Sequence, residues 1–173
     1  MEEPPPIWIG LSSATEAREK RVKKILFVCT AGVCRSPMAA AIFDALAQDR
    51  GLPFRAESAG VAALEGNPMA PNALVALEEV GIYPQDHRAR QVSGPMLEEA
   101  DLVLAMSPRH VAALNERFGS LLDDKLHTLP EYASGVPGAE GIPDPYRHTI
   151  TAYRASVRQL LEYVERVVER LER

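Results

Sequence analysis

Within eight consecutive positions, Cys29-Thr30-Ala31-Gly32-Val33-Cys34-Arg35-Ser36, the chain places two thiols, a guanidinium and two hydroxyls. The segment follows an apolar run, Lys24 to Cys29 (KILFVC), and leads into Ser36-Pro37, residue types that favour a helix start. A turn from a buried strand into a helix directs several backbone N–H groups at one concave point, and that geometry binds anions. A phosphate held there meets the positive end of the helix dipole and the planar fork of Arg35, which can grip two of its oxygens. The same field favours the thiolate form of Cys29 and makes it a nucleophile. Five residues separate Cys29 from Arg35, enough for the loop to wrap a phosphoryl group while the sulfur approaches phosphorus in line. Ser36 is placed to donate a hydrogen bond to that sulfur. The phosphate cradle is thus expected from Thr30, Ala31, Gly32, Val33, Cys34, Arg35 and Ser36. Cys34, inside the loop, is read equally well as a packed side chain.

The elements that must position this loop follow from patterning. Short apolar or β-branched runs alternate with amphipathic segments, the pattern of a parallel sheet covered by helices. Strands are predicted at 24–29, 54–58, 101–106 and, more weakly, 125–129. Helices are predicted from Ser36 to about Arg50, with Met38, Ile42 and Leu46 as its stripe, and from Pro71 to Gly81, with Leu74, Leu77 and Val80 on one face. Further helices are predicted at 95–100, 108–118 and 149–173, the last burying Val157, Leu160, Leu161, Val164, Val168 and Leu171. Residues 130–145 hold four prolines and three glycines and are read as one long irregular loop. The resulting expectation is an α/β, three-layer αβα domain with about four parallel strands and Cys29 at the carboxyl edge of the sheet, where ligands bind in such folds. Residues 1–23, with Pro4-Pro5-Pro6 and the single tryptophan, Trp8, are read as a flexible leader, with Trp8 and Ile9 able to dock on the core. The domain is expected over 24–173.

Composition removes several functions. A net charge of −5 and a pI near 5.4 oppose a nucleic-acid surface, which needs clustered Lys and Arg. No apolar run reaches the roughly 20 residues of a membrane span, and the start of the chain lacks the basic-then-apolar order of a signal peptide. A cytoplasmic protein without a membrane partner is expected. Two cysteines cannot form a disulfide framework or a zinc cage. His87, His110, His127 and His148 are scattered without ligand spacing, so they are read as solvated or supporting residues. No metal or cofactor is expected.

The run FVCTAGVCRSPMA, the later Ser58-Ala59-Gly60, the segment His87-Arg88-Ala89-Arg90-Gln91, the strand DLVLAM and Asp144-Pro145-Tyr146 together resemble the low-molecular-weight protein tyrosine phosphatases, in order and at family spacing over residues 24–173. The resemblance implies a phosphatase-I-like fold, Cys29 as nucleophile, Arg35 as phosphate ligand, Ser36 as support for the thiolate and Asp144 as general acid. Read alone, Asp144-Pro145 is a turn initiator. Delivery of an acid to the leaving group supplies a reason for the long proline-rich loop before it, and a positioned acid contributes about 10²–10⁴ in rate.

The chain departs from the family pattern at two loop positions. Ala31 stands where the family has glycine, and its Cβ is expected to crowd the loop and lower activity. Gly32 stands where the family has a left-handed asparagine anchored by side chains at the positions of Ser58 and His87. Glycine keeps the backbone conformation, but the anchor is expected to be lost and His87 left without its family partner.

The activity expected is phosphotyrosine hydrolysis through a cysteinyl-phosphate, on a phosphorylated protein substrate, by a monomer or weak dimer. Val33 is apolar and branched, as in family members selective for a phenyl ring, whereas the phosphoarginine branch has threonine there. Tyr146 and Leu64 are expected to contact the substrate, Tyr146 by stacking on its ring. Segment 58–64 holds no aromatic residue, and 71–81 reads more like the phosphoarginine branch, so a protein arginine phosphatase is the alternative. Arsenate reduction on the same fold is less favoured, because those relatives relay electrons through further cysteines. An inactive phosphate-binding module is opposed by the presence of Cys29, Arg35, Ser36 and Asp144 together.

Overall fold

The computed structural model describes residues 23–173. Four strands, β1 (Lys24–Cys29), β2 (Arg55–Gly60), β3 (Leu102–Ala105) and β4 (Leu126–Thr128), form one all-parallel sheet in the order β2-β1-β3-β4. Side chains alternate across it. Ile25, Phe27 and Cys29 of β1, with Leu102 and Leu104 of β3, face one layer built on α1 (Arg35–Asp49), α2 (Pro71–Glu78), α5 (Leu129–Ser134) and α6 (Ile150–Glu172). Leu26, Val28 and Val103 face the opposite layer, where Leu97 of α3 (Gly94–Glu99) and Leu114 of α4 (Pro108–Phe118) close the second core. β1 is buried on both faces, as its unbroken apolar run requires. The expected three-layer αβα arrangement with four parallel strands is the one observed.

Several local expectations are corrected. α1 begins at Arg35, with Cys34 as the flanking residue and no side-chain cap, so Ser36 lies inside the helix and its hydroxyl serves the site instead. Met38 and Ile42 are fully buried on α1, but Leu46 is only partly so, and Phe43 fills the remaining space against Phe27. β2 runs two residues beyond the predicted Ser58, to Gly60, which pairs in register with Cys29. α2 ends at Glu78 and leaves Val80 43% exposed, off the predicted face.

The largest difference is α5, which occupies the first part of the predicted irregular loop. Thr128 caps it, its Oγ1 accepting from the Glu131 amide at 3.1 Å. Pro130 sits in its first turn, where a missing N–H costs nothing, and Gly135 ends it in the left-handed conformation. The strand predicted to Leu129 is correspondingly cut back to Thr128. On α6 the predicted stripe is buried except for Leu161, which is partly exposed, and Tyr153 and Val167 join it. The expectations for Trp8, Ile9 and the leader fall outside the described residues, apart from Lys23, whose amide donates to Asp101 Oδ2 at 3.0 Å. Among the described residues no helix is long and apolar enough to cross a membrane.

Candidate active site

Cys29 ends β1, and the chain turns through residues 30–34 into the first residue of α1, Arg35. A cavity of about 140 Å³ opens on this turn, lined by Cys29, Thr30, Ala31, Val33, Cys34, Arg35, Asp144 and Tyr146. Of the expected cradle, Gly32 and Ser36 are buried and stand outside the lining. Leu64, one of the two expected substrate contacts, is also outside it and is 71% exposed on the loop after β2.

Two close approaches set the loop's shape. Gly32 has φ +72°, the left-handed region that glycine enters without strain, and its carbonyl accepts a 2.7 Å hydrogen bond from His87 Nε2. The asparagine side chain is absent here, and His87 holds the Gly32 backbone in its place. Burial of His87, opposed by this bond and reinforced by Arg90, lowers its pKa, and since a carbonyl only accepts, Nε2 carries the proton in the bond to Gly32. Gly60, opposite Cys29, lies so near the turn that a Cβ there would stand 2.5 Å from the Thr30 carbonyl oxygen and 2.8 Å from the Ala31 carbonyl carbon. The backbone of Ala31 is not left-handed, since only Asp123 and Arg147 have positive φ among the described non-glycine residues, and Ala31 packs against the larger core cluster.

Arg35 is 3% exposed, and its guanidinium is held on several sides. Nη1 donates to the Ile142 carbonyl at 3.1 Å, and Nη2 donates to Thr30 Oγ1 at 3.3 Å and lies 3.5 Å from Asp144 Oδ2. Its Nε is buried without a hydrogen-bond partner, an unusual state for a charged donor. The segment before Asp144 is tied to the sheet by the Ile142 amide, which donates to the Met106 carbonyl at 2.8 Å. Asp144 Oδ1 accepts from the Tyr146 amide at 3.0 Å, which fixes the carboxylate at the cavity wall.

Ser36 Oγ lies 3.0 Å from Cys29 Sγ and 3.3 Å from the Ala59 carbonyl oxygen. It has one proton. With Cys29 as a thiol, S–H can donate to Ser36 while Ser36 donates to Ala59. With Cys29 as a thiolate, Ser36 turns its proton to the sulfur. The hydroxyl thus offers a partner to either state of the nucleophile. Cys34 differs: its thiol is 3.4 Å from the Tyr153 hydroxyl of α6, and burial pushes its pKa up to about 11, so it remains protonated near neutrality.

Sequence reasoning missed Ile142, Tyr153, Ser107 and the connection of His110. The Ile142 contact uses a backbone carbonyl, which leaves no mark on residue type. Tyr153 falls on the apolar stripe of α6 and reads there as core. The i, i+3 pair Ser107 and His110 at the start of α4 was the one available signal. Among the described residues, no group of three or more His, Cys, Asp or Glu could hold a metal ion.

The profile of the family described as low molecular weight phosphotyrosine protein phosphatase matches residues 24–173. The chain belongs to the low-molecular-weight protein tyrosine phosphatase family. Among its relatives, a protein-arginine-phosphatase of Bacillus subtilis is 36% identical over 149 residues, covering 86% of this chain and 97% of that protein. A probable low-molecular-weight protein-tyrosine-phosphatase EpsP of Ralstonia nicotianae is 32% identical, covering 87% and 97%. The solved structure of a low-molecular-weight protein tyrosine phosphatase from T. tengcongensis superposes with a TM-score of 0.79 at 38% identity, covering 85% and 98%. This low-molecular-weight phosphatase chain therefore shares fold and family with enzymes named for two different leaving groups.

Proposed function

We propose that this phosphatase hydrolyses phosphotyrosine in proteins, with Cys29 as nucleophile, Arg35 and the turn 30–36 as the phosphate cradle and Asp144 as general acid. The observation that carries the reading is the buried, unpartnered Nε of Arg35 beside Cys29 in one cavity, a donor that a phosphoryl oxygen would satisfy. In the first step the Cys29 sulfur bonds to phosphorus, the bond from phosphorus to the tyrosyl oxygen breaks, and Asp144 gives its proton to that oxygen. In the second, water attacks phosphorus and loses a proton to Asp144, and the thiolate departs. Ser36 supports the departing sulfur. Val33 and Tyr146, both on the cavity wall, form the apolar mouth that suits a phenyl ring. Leu64 would meet the protein part of the substrate and not the ring. The enzyme would act in the cytoplasm as a monomer or weak dimer.

A second reading, phosphoarginine hydrolysis, is favoured by one contact. The Arg147 guanidinium stands over the Tyr146 ring, 5.3 Å from its centroid, so this ring already receives a guanidinium on one face. The relative from Bacillus subtilis points the same way. Paired kinetics on a phosphotyrosine peptide and a phosphoarginine peptide, for wild type and Val33→Thr, separates the two readings. We expect wild type to prefer phosphotyrosine and Val33→Thr to shift towards phosphoarginine. A wild-type preference for phosphoarginine overturns the first reading.

A further inference from the structure

His110 lies at the start of α4, in the layer opposite α1, and is 3% exposed. Its Nδ1 is 2.9 Å from Ser107 Oγ, and its Nε2 is 2.8 Å from Thr30 Oγ1. Thr30 Oγ1 also receives Arg35 Nη2 at 3.3 Å, and that nitrogen is 3.5 Å from Asp144 Oδ2. One hydroxyl therefore joins a buried imidazole to the arginine of the cradle.

One self-consistent assignment of donors and acceptors runs along this chain. A guanidinium only donates, so Thr30 must turn a lone pair to Arg35. The single hydroxyl proton of Thr30 then has Nε2 of His110 within reach as its acceptor. An imidazole that accepts on Nε2 carries its proton on Nδ1, where Ser107 Oγ receives it. A doubly protonated ring would instead drive two cationic donors into the Thr30 oxygen. The surroundings favour the neutral ring: burial first, then the charges of Arg35 and Arg109, opposed by Asp144, push the His110 pKa down to about 4.

Resting on the reading of the cavity as a phosphoryl site, we propose that His110 is a positioning residue for Arg35. By accepting the Thr30 hydroxyl proton, it fixes the Thr30 oxygen as an acceptor for Nη2. This sets the guanidinium plane so that Nε is left for the substrate. Ser107 holds the tautomer that makes the arrangement work. Neither His110 nor Ser107 lines the cavity, so their effect on the phosphate passes through Thr30 and Arg35.

The test compares Thr30→Val, His110→Phe, His110→Gln and the double variant Thr30→Val/His110→Phe. Measurements are the inhibition constant of inorganic phosphate, kcat and KM on para-nitrophenyl phosphate, and the thermal midpoint. Thr30→Val keeps the shape and removes the hydroxyl; His110→Phe keeps bulk and removes the acceptor; His110→Gln restores an acceptor. Thr30→Val and His110→Phe should each weaken phosphate about tenfold, the cost of losing a hydrogen bond to a charged group. The double variant should be no worse than either single one, because both cut the same link. His110→Gln should return to within about threefold of wild type. Unchanged phosphate inhibition in Thr30→Val overturns the proposal, as does a double variant whose losses multiply to about a hundredfold. If His110→Phe does not fold, Thr30→Val and His110→Gln decide the matter, and a His110→Gln as impaired as Thr30→Val counts against it. Wild type that neither binds phosphate nor turns over the aryl phosphate defeats the phosphatase reading itself, and the positioning role with it.

Discussion

Gly60→Ala tests how closely the second strand holds the cysteine turn. Gly60 pairs in register with Cys29, and the chain beyond it continues alongside the turn, with the Val61 amide donating to the Cys29 carbonyl at 3.0 Å and the Ala62 amide to the Thr30 carbonyl at 2.9 Å. An added Cβ would lie 2.5 Å from the Thr30 carbonyl oxygen, 2.8 Å from Ala31 C and 2.9 Å from Gly32 N, where Cβ approaches below 3.0 Å are essentially never found. All three neighbours are backbone, so no side chain can rotate away. The turn must retreat by at least about 0.5 Å, carrying the Thr30 contacts to Arg35 and His110 with it. Displacements approaching 1 Å cost about 10² in rate, so kcat/KM on para-nitrophenyl phosphate should fall on the order of 10- to 100-fold. Overpacking of this kind should also cost about 1–3 kcal/mol in stability, measured by urea unfolding. A Gly60→Ala protein with kcat/KM within about twofold of wild type and an unchanged urea midpoint refutes the reasoning.

Cys29→Ser should abolish turnover yet keep phosphate affinity, because the turn and Arg35 remain; residual hydrolysis by the serine variant in a stopped assay would remove Cys29 as nucleophile. Asp144→Asn should slow aryl phosphate cleavage by about 10² or more, and an unchanged rate across the acidic to neutral range would rule Asp144 out as the acid. Mild peroxide should inactivate reversibly: the Cys29 thiolate is oxidised to sulfenic acid as peroxide is reduced to water, and Cys34 attacks that sulfur to give a disulfide and a second water. Since burial keeps Cys34 protonated, its proton must leave with the departing hydroxide. Peptide mapping should find the two cysteines joined, and sulfonic acid at Cys29 with Cys34 unmodified would exclude the resolving role.

The parts of the site that could be read in the sequence are those where one stretch of chain carries both the element and the chemistry. The unbroken apolar run of β1 and the turn that follows it announce a buried strand and a turn that brings Cys29 and Arg35 to one cavity, within thirteen residues. The alternation of strands and helices conveys the layers. α5 was hidden because Pro130 reads as a breaker until Thr128 and Glu131 are seen as its cap. The partner of His87 is the Gly32 backbone carbonyl, a group every residue carries and which residue type therefore does not reveal. Membership of the loop after β2 does not tell which way Leu64 points, and the loop carries it outward. The His110 link to Thr30 joins positions 80 apart, and the local Ser107 and His110 pair marks only one end of it.

The Cys34 thiol meets its Tyr153 partner 119 positions further along the chain. During synthesis the turn leaves the ribosome long before that tyrosine, and before β3, whose insertion beside β1 supplies the second flank of the strand that ends in Cys29. A nascent chain halted between Gly60 and Leu102 therefore carries every residue of the turn but neither Asp144 nor the helix that backs Cys34. On the roles proposed for Cys29 and Asp144, such a chain would hold the nucleophile without the acid. Hydrolysis should switch on late in translation, when α6 packs against α1, so that an unfinished copy has no means of acting on phosphoproteins.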